Sequence, residues 1–150
     1  MTQPLDGQIT PAELQQAQLL LQSYPEAEAA IATLAQNNGD IGESFDSLWA
    51  EEVGQLGTFG TGGQSLRSSV LKVLREEVCG DEGFRAKMGE YVGNPASATA
   101  LASLIGYLVT LTTLPINPAI ATVIVLYLLK LGLAVFCEYT APATENGETP

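Results

Sequence analysis

YVGNPASATALASLIGYLVTLTTLPINPAIATVIVLYLL, residues 91 to 129, is a run of 39 residues without a charged side chain. The sequence Leu114-Pro115-Ile116-Asn117-Pro118 divides it. Prolines cannot continue a helix and bias the residues before them away from helical angles, so the pattern predicts two helices joined by a chemically fixed turn. Ala96 to Leu114 and Ala119 to Cys137 supply 19 residues each, the second with one charge, Lys130. At about 1.5 Å per residue each would reach roughly 28 Å, close to the roughly 30 Å of bilayer hydrocarbon. Residues 96–137 are therefore expected to form an apolar, transmembrane helical hairpin. Ala98, Ala102 and Gly106 recur every four residues, a seam of small side chains that lets membrane helices approach closely. A homo-oligomer joined through the hairpin is a further expectation. A lysine at mid-membrane costs roughly 2.5 to 3.5 kcal/mol on insertion scales, and Lys130 is expected to snorkel towards the Cys137 end.

Charge is placed as unevenly as hydropathy. The chain of 150 residues carries a formal charge of −11, and its first 66 residues hold nine acids and no base. An acidic front half repels phosphate, so nucleic acid is not an expected partner. Histidine is absent, which removes the commonest general base and metal ligand together. No enzymatic activity, metal or cofactor is expected. Cys79 and Cys137 form no CxxC motif, so neither a zinc site nor a redox motif is signalled, and the two are expected to be packing thiols. Met1 to Gly7 has neither a basic start nor an apolar core, so no secretory signal peptide is expected and the first part should remain cytosolic.

Thr10-Pro11-Ala12-Glu13 has the chemistry of a helix start, with Thr10 as cap, Pro11 at the first position and Glu13 as the reciprocal acid of a capping box. A first helix is predicted from Pro11 to about Gln22, with Leu14, Ala17, Leu20 and Leu21 on its apolar face. Pro25 opens a second, to about Gln36, and Asn37-Asn38-Gly39 stops it. Asp40 caps a third, with Ile41, Phe45, Leu48 and Trp49 as its buried stripe. Residues 10–53 thus read as a small three-helix bundle.

Leu20-Leu21-Gln22-Ser23-Tyr24-Pro25, Ala30-Ile31-Ala32-Thr33-Leu34-Ala35, Asn38-Gly39-Asp40-Ile41 and the Leu48-Trp49 pair resemble the ubiquitin-associated and CUE family of three-helix modules. The resemblance covers residues 11–52. It implies a partner-binding patch made by Tyr24 and Pro25 in the first loop with Leu48 and Trp49 at the end of helix 3. Tyr stands where the family has Phe and Trp where it has one Leu of a pair. The plain alternative is a generic bundle in which Tyr24 and Trp49 are core.

Residues 54–64, with Gly54, Gly57, Gly60, Gly62 and Gly63, read as a flexible linker, and no Gly-Lys-Ser/Thr follows to make a phosphate loop. Residues 65–93 read as two amphipathic connector helices, the first ended by Gly80 and the second capped by Asp81. Arg67, Lys72, Arg75, Arg85 and Lys87 lie on their polar sides and can form a collar next to the membrane, or a solvated face shared with Glu76, Glu77, Asp81 and Glu82. With bases before the hairpin and none in its turn, both termini are expected on the cytoplasmic side of a multi-pass protein; a wholly cytoplasmic protein is the alternative. Residues 138–150 read as a disordered acidic tail. The fold class is all-α. The expected function is a membrane-anchored adaptor whose bundle binds a cytosolic protein while the hairpin sits in the lipid bilayer. The alternatives are a small membrane-permeabilising effector with a masked hairpin, and a soluble helical protein that binds an apolar ligand or a partner helix.

Overall fold

The computed structural model describes residues 7–53 and 63–139. Among them the secondary structure is helical apart from one isolated β-bridge, between Gln8 and Asp40. Most of the linker expected at 54–64, and residues 140–150 of the expected tail, lie outside the described residues.

Helix α1 (Pro11–Leu20) starts on the expected capping box: the Thr10 hydroxyl accepts from Glu13 N at 3.1 Å, and Glu13 Oε1 accepts from Thr10 N at 2.9 Å. A 3-10 turn (Pro25–Ala27) leads into α2 (Glu28–Gln36). Asn38 and Gly39 then take positive φ, 56° and 83°, and reverse the chain. Gly39 is needed there twice over, because a Cβ would stand 2.1 Å from the Ile9 carbonyl oxygen. That approach lets Ile9 N donate to Gly39 O at 2.8 Å and Ile41 N to Gly7 O at 3.0 Å, so the segment before α1 closes over the α2–α3 junction. Helix α3 (Ile41–Val53) begins with the Asp40 carboxylate accepting from Glu43 N.

Helix α4 (Gly63–Val78) buries Val70, Leu71, Leu74 and Val78, and three polar or covalent links fasten it. Arg67 forks onto Asp46 of α3 at 3.2 and 2.6 Å, lying over Gly42, where a Cβ would stand 2.8 Å from the guanidinium carbon. Glu77 accepts from the Thr112 hydroxyl, from Thr113 N at 2.9 Å and from the Thr113 hydroxyl at 2.8 Å. Cys79, just past the helix, is joined to Cys137 by a disulfide. The expectation of two packing thiols is thus corrected. Their separation of 58 positions gave no motif, and the fold brings them together.

Helix α5 (Glu82–Gly93) is capped by Asp81 and α6 (Ala98–Leu111) by Ser97. Helix α7 (Pro118–Leu131) is capped by Asn117 and followed, after Gly132 at φ 95°, by α8 (Leu133–Tyr139). The expected apolar hairpin is present as α6 packed on α7, but its helices are 14 residues each instead of 19. At about 1.5 Å per residue that is about 21 Å. Thr112 turns extended where Glu77 holds the Thr112-Thr113 pair, and Gly132 ends the second helix early. No helix among the described residues is long and apolar enough to cross a membrane.

Ala119 to Val125, Tyr127 and Leu128 of α7 are all buried, and α2, α3, α6, α8 and the 3-10 turn pack against it. The three N-terminal helices therefore share one apolar core with the C-terminal half. Lys130, expected to snorkel, instead donates to Glu13 Oε1 at 2.8 Å, so the capping acid of α1 also meets the end of α7.

Two expectations follow for stability. Ile124 is fully buried, and Ile124→Ala should cost about 2 to 5 kcal/mol, read from the urea midpoint at unchanged slope. Burial alone would raise the pKa of Glu77, but the hydrogen bonds from Thr112 and Thr113 outweigh it and hold it below the ordinary 4.5. A depressed folded value stabilises above the unfolded pKa and is lost as pH falls through the folded one. Glu77→Gln should therefore lower the midpoint at neutral pH, with the gap to the wild type closing as pH drops below 4.5.

Candidate functional site

The loop between α1 and α2 is built tightly. Tyr24 N donates to Leu21 O and Ala27 N to Tyr24 O, both at 3.0 Å, and Pro25 fixes the first residue of the 3-10 turn. Pro25 is exposed and Tyr24 half-buried. Burial, then the nearby Glu26 charge, push the Tyr24 hydroxyl above its usual pKa.

A groove opens on each side of this loop. Between α1 and α2, Leu14, Leu21, Pro25 and Ile31 line a groove of about 400 Å³ rimmed by Gln18 and Glu28. Between α1 and α6, Leu20 and Tyr24 face Ala98, Thr99, Ala102 and Ser103 across about 450 Å³. Tyr24 and two members of the small-residue seam are thus brought to one surface, on the side of α6 away from its buried Leu101, Leu104, Ile105 and Leu108. The third member, Gly106, has open space where a Cβ would project, so no neighbouring helix among the described residues meets it on that side.

Leu48 and Trp49 are placed elsewhere, 2% and 3% exposed in the core. The patch implied by the family resemblance is therefore split: its loop half stands at the surface and its helix-3 half is buried. Leu48 and Trp49 both lie in the core that α3, packed on α2 and on α7, shares with the rest of the chain. Phe45 and Trp49 stack with ring centroids 5.6 Å apart, and Trp49 Nε1 is buried with no hydrogen-bond partner among the described residues.

The bases expected as a collar have separate local roles. Arg67 is held by Asp46, and that ion pair raises its pKa. Arg75 Nε donates to Cys137 O at 3.5 Å, and Arg85 donates to Cys79 O. Lys87 Nζ donates to Ser103 Oγ at 3.1 Å and sits 5.6 Å from the Tyr107 ring centroid. Lys72 is exposed. Tyr107 in turn donates to Asp81 Oδ2 at 2.6 Å, which lowers the Asp81 pKa together with the Phe84 amide that Asp81 caps. Among the described residues no group of three or more carboxylates and cysteines could hold a metal ion.

The α1–α2 groove was not legible beforehand, because Leu14, Leu21 and Ile31 carry the same apolar signal whether they are covered or border an opening. Set against known proteins, the chain matches no family model, no curated protein and no solved structure.

Proposed function

We propose that the chain is a non-enzymatic protein-interaction module that docks a partner on the Tyr24-Pro25 loop. The supporting observation is that this loop stands between two apolar-floored grooves, so a partner can seat side chains on both sides of a rigid tyrosine anchor. Glu26 and Glu28 are exposed beside it in a half of the chain that has no base before Arg67, which favours a partner with basic residues around its apolar anchors. In this reading Leu48 and Trp49 support the site from within.

A second reading keeps the bilayer. Residues 91–129 carry no charge, and most of α7 is enclosed by other helices, as a masked hairpin requires. Insertion would demand that α7 leave the core it shares with α2 and α3. Leakage of dye from phosphatidylcholine vesicles on adding the purified chain supports this reading, and intact vesicles with a stable partner complex argue against it.

A photo-reactive benzoylphenylalanine at position 24 should cross-link a protein partner in cells, whereas the same group at exposed position 72 should not. Tyr24→Ala should abolish the complex while leaving the melting curve nearly unchanged. Trp49→Ala should instead cost about 3 to 5 kcal/mol of folding stability. Adducts at position 24 no more abundant than at position 72 remove the docking reading.

A further inference from the structure

The Cys79–Cys137 bond and the short helix it holds are used by neither reading above. Helix α8 has seven residues, below the about 12 to 15 at which a helix is even marginal alone in water. It is also not an extension of α7, since Gly132 at φ 95° interrupts the helical backbone between them. What keeps it folded is therefore docking. Its packing partner is α7, against which Phe136 is fully buried and meets the Tyr127 ring edge-on at 6.3 Å. Its strap is the disulfide.

Both cysteines are only half-buried, and Cys79 is followed by the exposed Gly80. A guanidinium lies at the backbone of each: Arg75 Nε reaches Cys137 O and Arg85 reaches Cys79 O.

We propose that Cys79–Cys137 is a reversible redox site for a dithiol reductant, and that its reduction releases α8 from α7. One thiolate of the reductant attacks a cysteine sulfur, the S–S bond breaks, and the departing sulfur takes a proton. The second thiol of the reductant resolves the mixed disulfide. Two electrons and two protons thus pass to Cys79 and Cys137, and the reductant leaves as its own disulfide. Loss of the strap leaves Phe136, Leu133 and the long Arg75 to Cys137 O hydrogen bond to hold a helix too short to persist by itself, so α8 leaves α7 and the Tyr127 face becomes uncovered. The chain then has two states of apolar exposure, selected by its redox surroundings.

The full chain is treated with dithiothreitol under native conditions, alkylated and weighed, and followed by hydrogen exchange. Both thiols should be labelled while residues 28–49 keep their protection, and peptides covering 124–139 should exchange about tenfold faster or more. Oxidised glutathione should restore the slow exchange. The Cys79→Ser/Cys137→Ser double variant should keep its far-UV dichroism and show the fast pattern without reductant. Labelling that proceeds only at the rate of global unfolding, labelling with unchanged exchange at 124–139, or a double variant that is unfolded would each make the bond a structural staple and overturn the proposal.

Discussion

Coverage of α7 is the constraint on which the rest of the structure depends. A helix apolar on all sides has to be enclosed by something apolar, and here the enclosure is made by protein. Nine of its 14 residues are buried, by α2, α3, α6, α8 and the 3-10 turn together. Each covering helix gives up one face to α7. The bundle at the front of the chain is thus continuous with the hairpin at its back, and Leu48 and Trp49 lie in the core they share.

Carboxylates do much of the joining between these parts. Glu13 closes the capping box of α1 and receives Lys130 from the end of α7. Lys130 and then the Thr10 amide hold its pKa below the ordinary value. Asp81 caps α5 and receives Tyr107 from α6, and Glu77 binds the threonine pair that ends α6. Glu52 of α3 accepts from Asn117, the cap of α7, at 3.0 Å. A chain with a charge of −11 thus uses several of its acids as acceptors at helix ends, where unpaired amides and positive partners are available.

Local chemistry was legible in the sequence, and its partners in space were not. Thr10, Asp40, Asp81 and the Pro115 to Pro118 turn mark their boundaries because capping and proline effects act within four residues. The all-α class follows from the same signals. Whether an uncharged run faces lipid or protein cannot be read from its hydropathy, since both environments ask for the same side chains. The deciding features are not in the hydropathy: Glu77 reaches 36 positions to Thr113, and Gly132 takes a positive φ that ends α7. The disulfide belongs to this class, as does the split of the Tyr24, Pro25, Leu48 and Trp49 patch. A resemblance over residues 11–52 could suggest which residues belong together within the bundle, and not that one half of them would lie in a core shared with later helices.

The surface loop and the buried core are coupled by the shortest of links. Ala27, three residues after Tyr24, is fully buried, and the 3-10 turn that contains it packs on α7. Leu21, three residues before, is 5% exposed and at the same time borders the α1–α2 groove. Tyr24 is therefore held between two residues already committed to packing, and its backbone has little freedom left to lose when a partner arrives. Rigidity of this kind lowers the entropic cost of association and places the tyrosine where both grooves can be used at once. The same arrangement makes the loop sensitive to the core beneath it, so any change that loosens α7 also moves the floor on which the 3-10 turn rests.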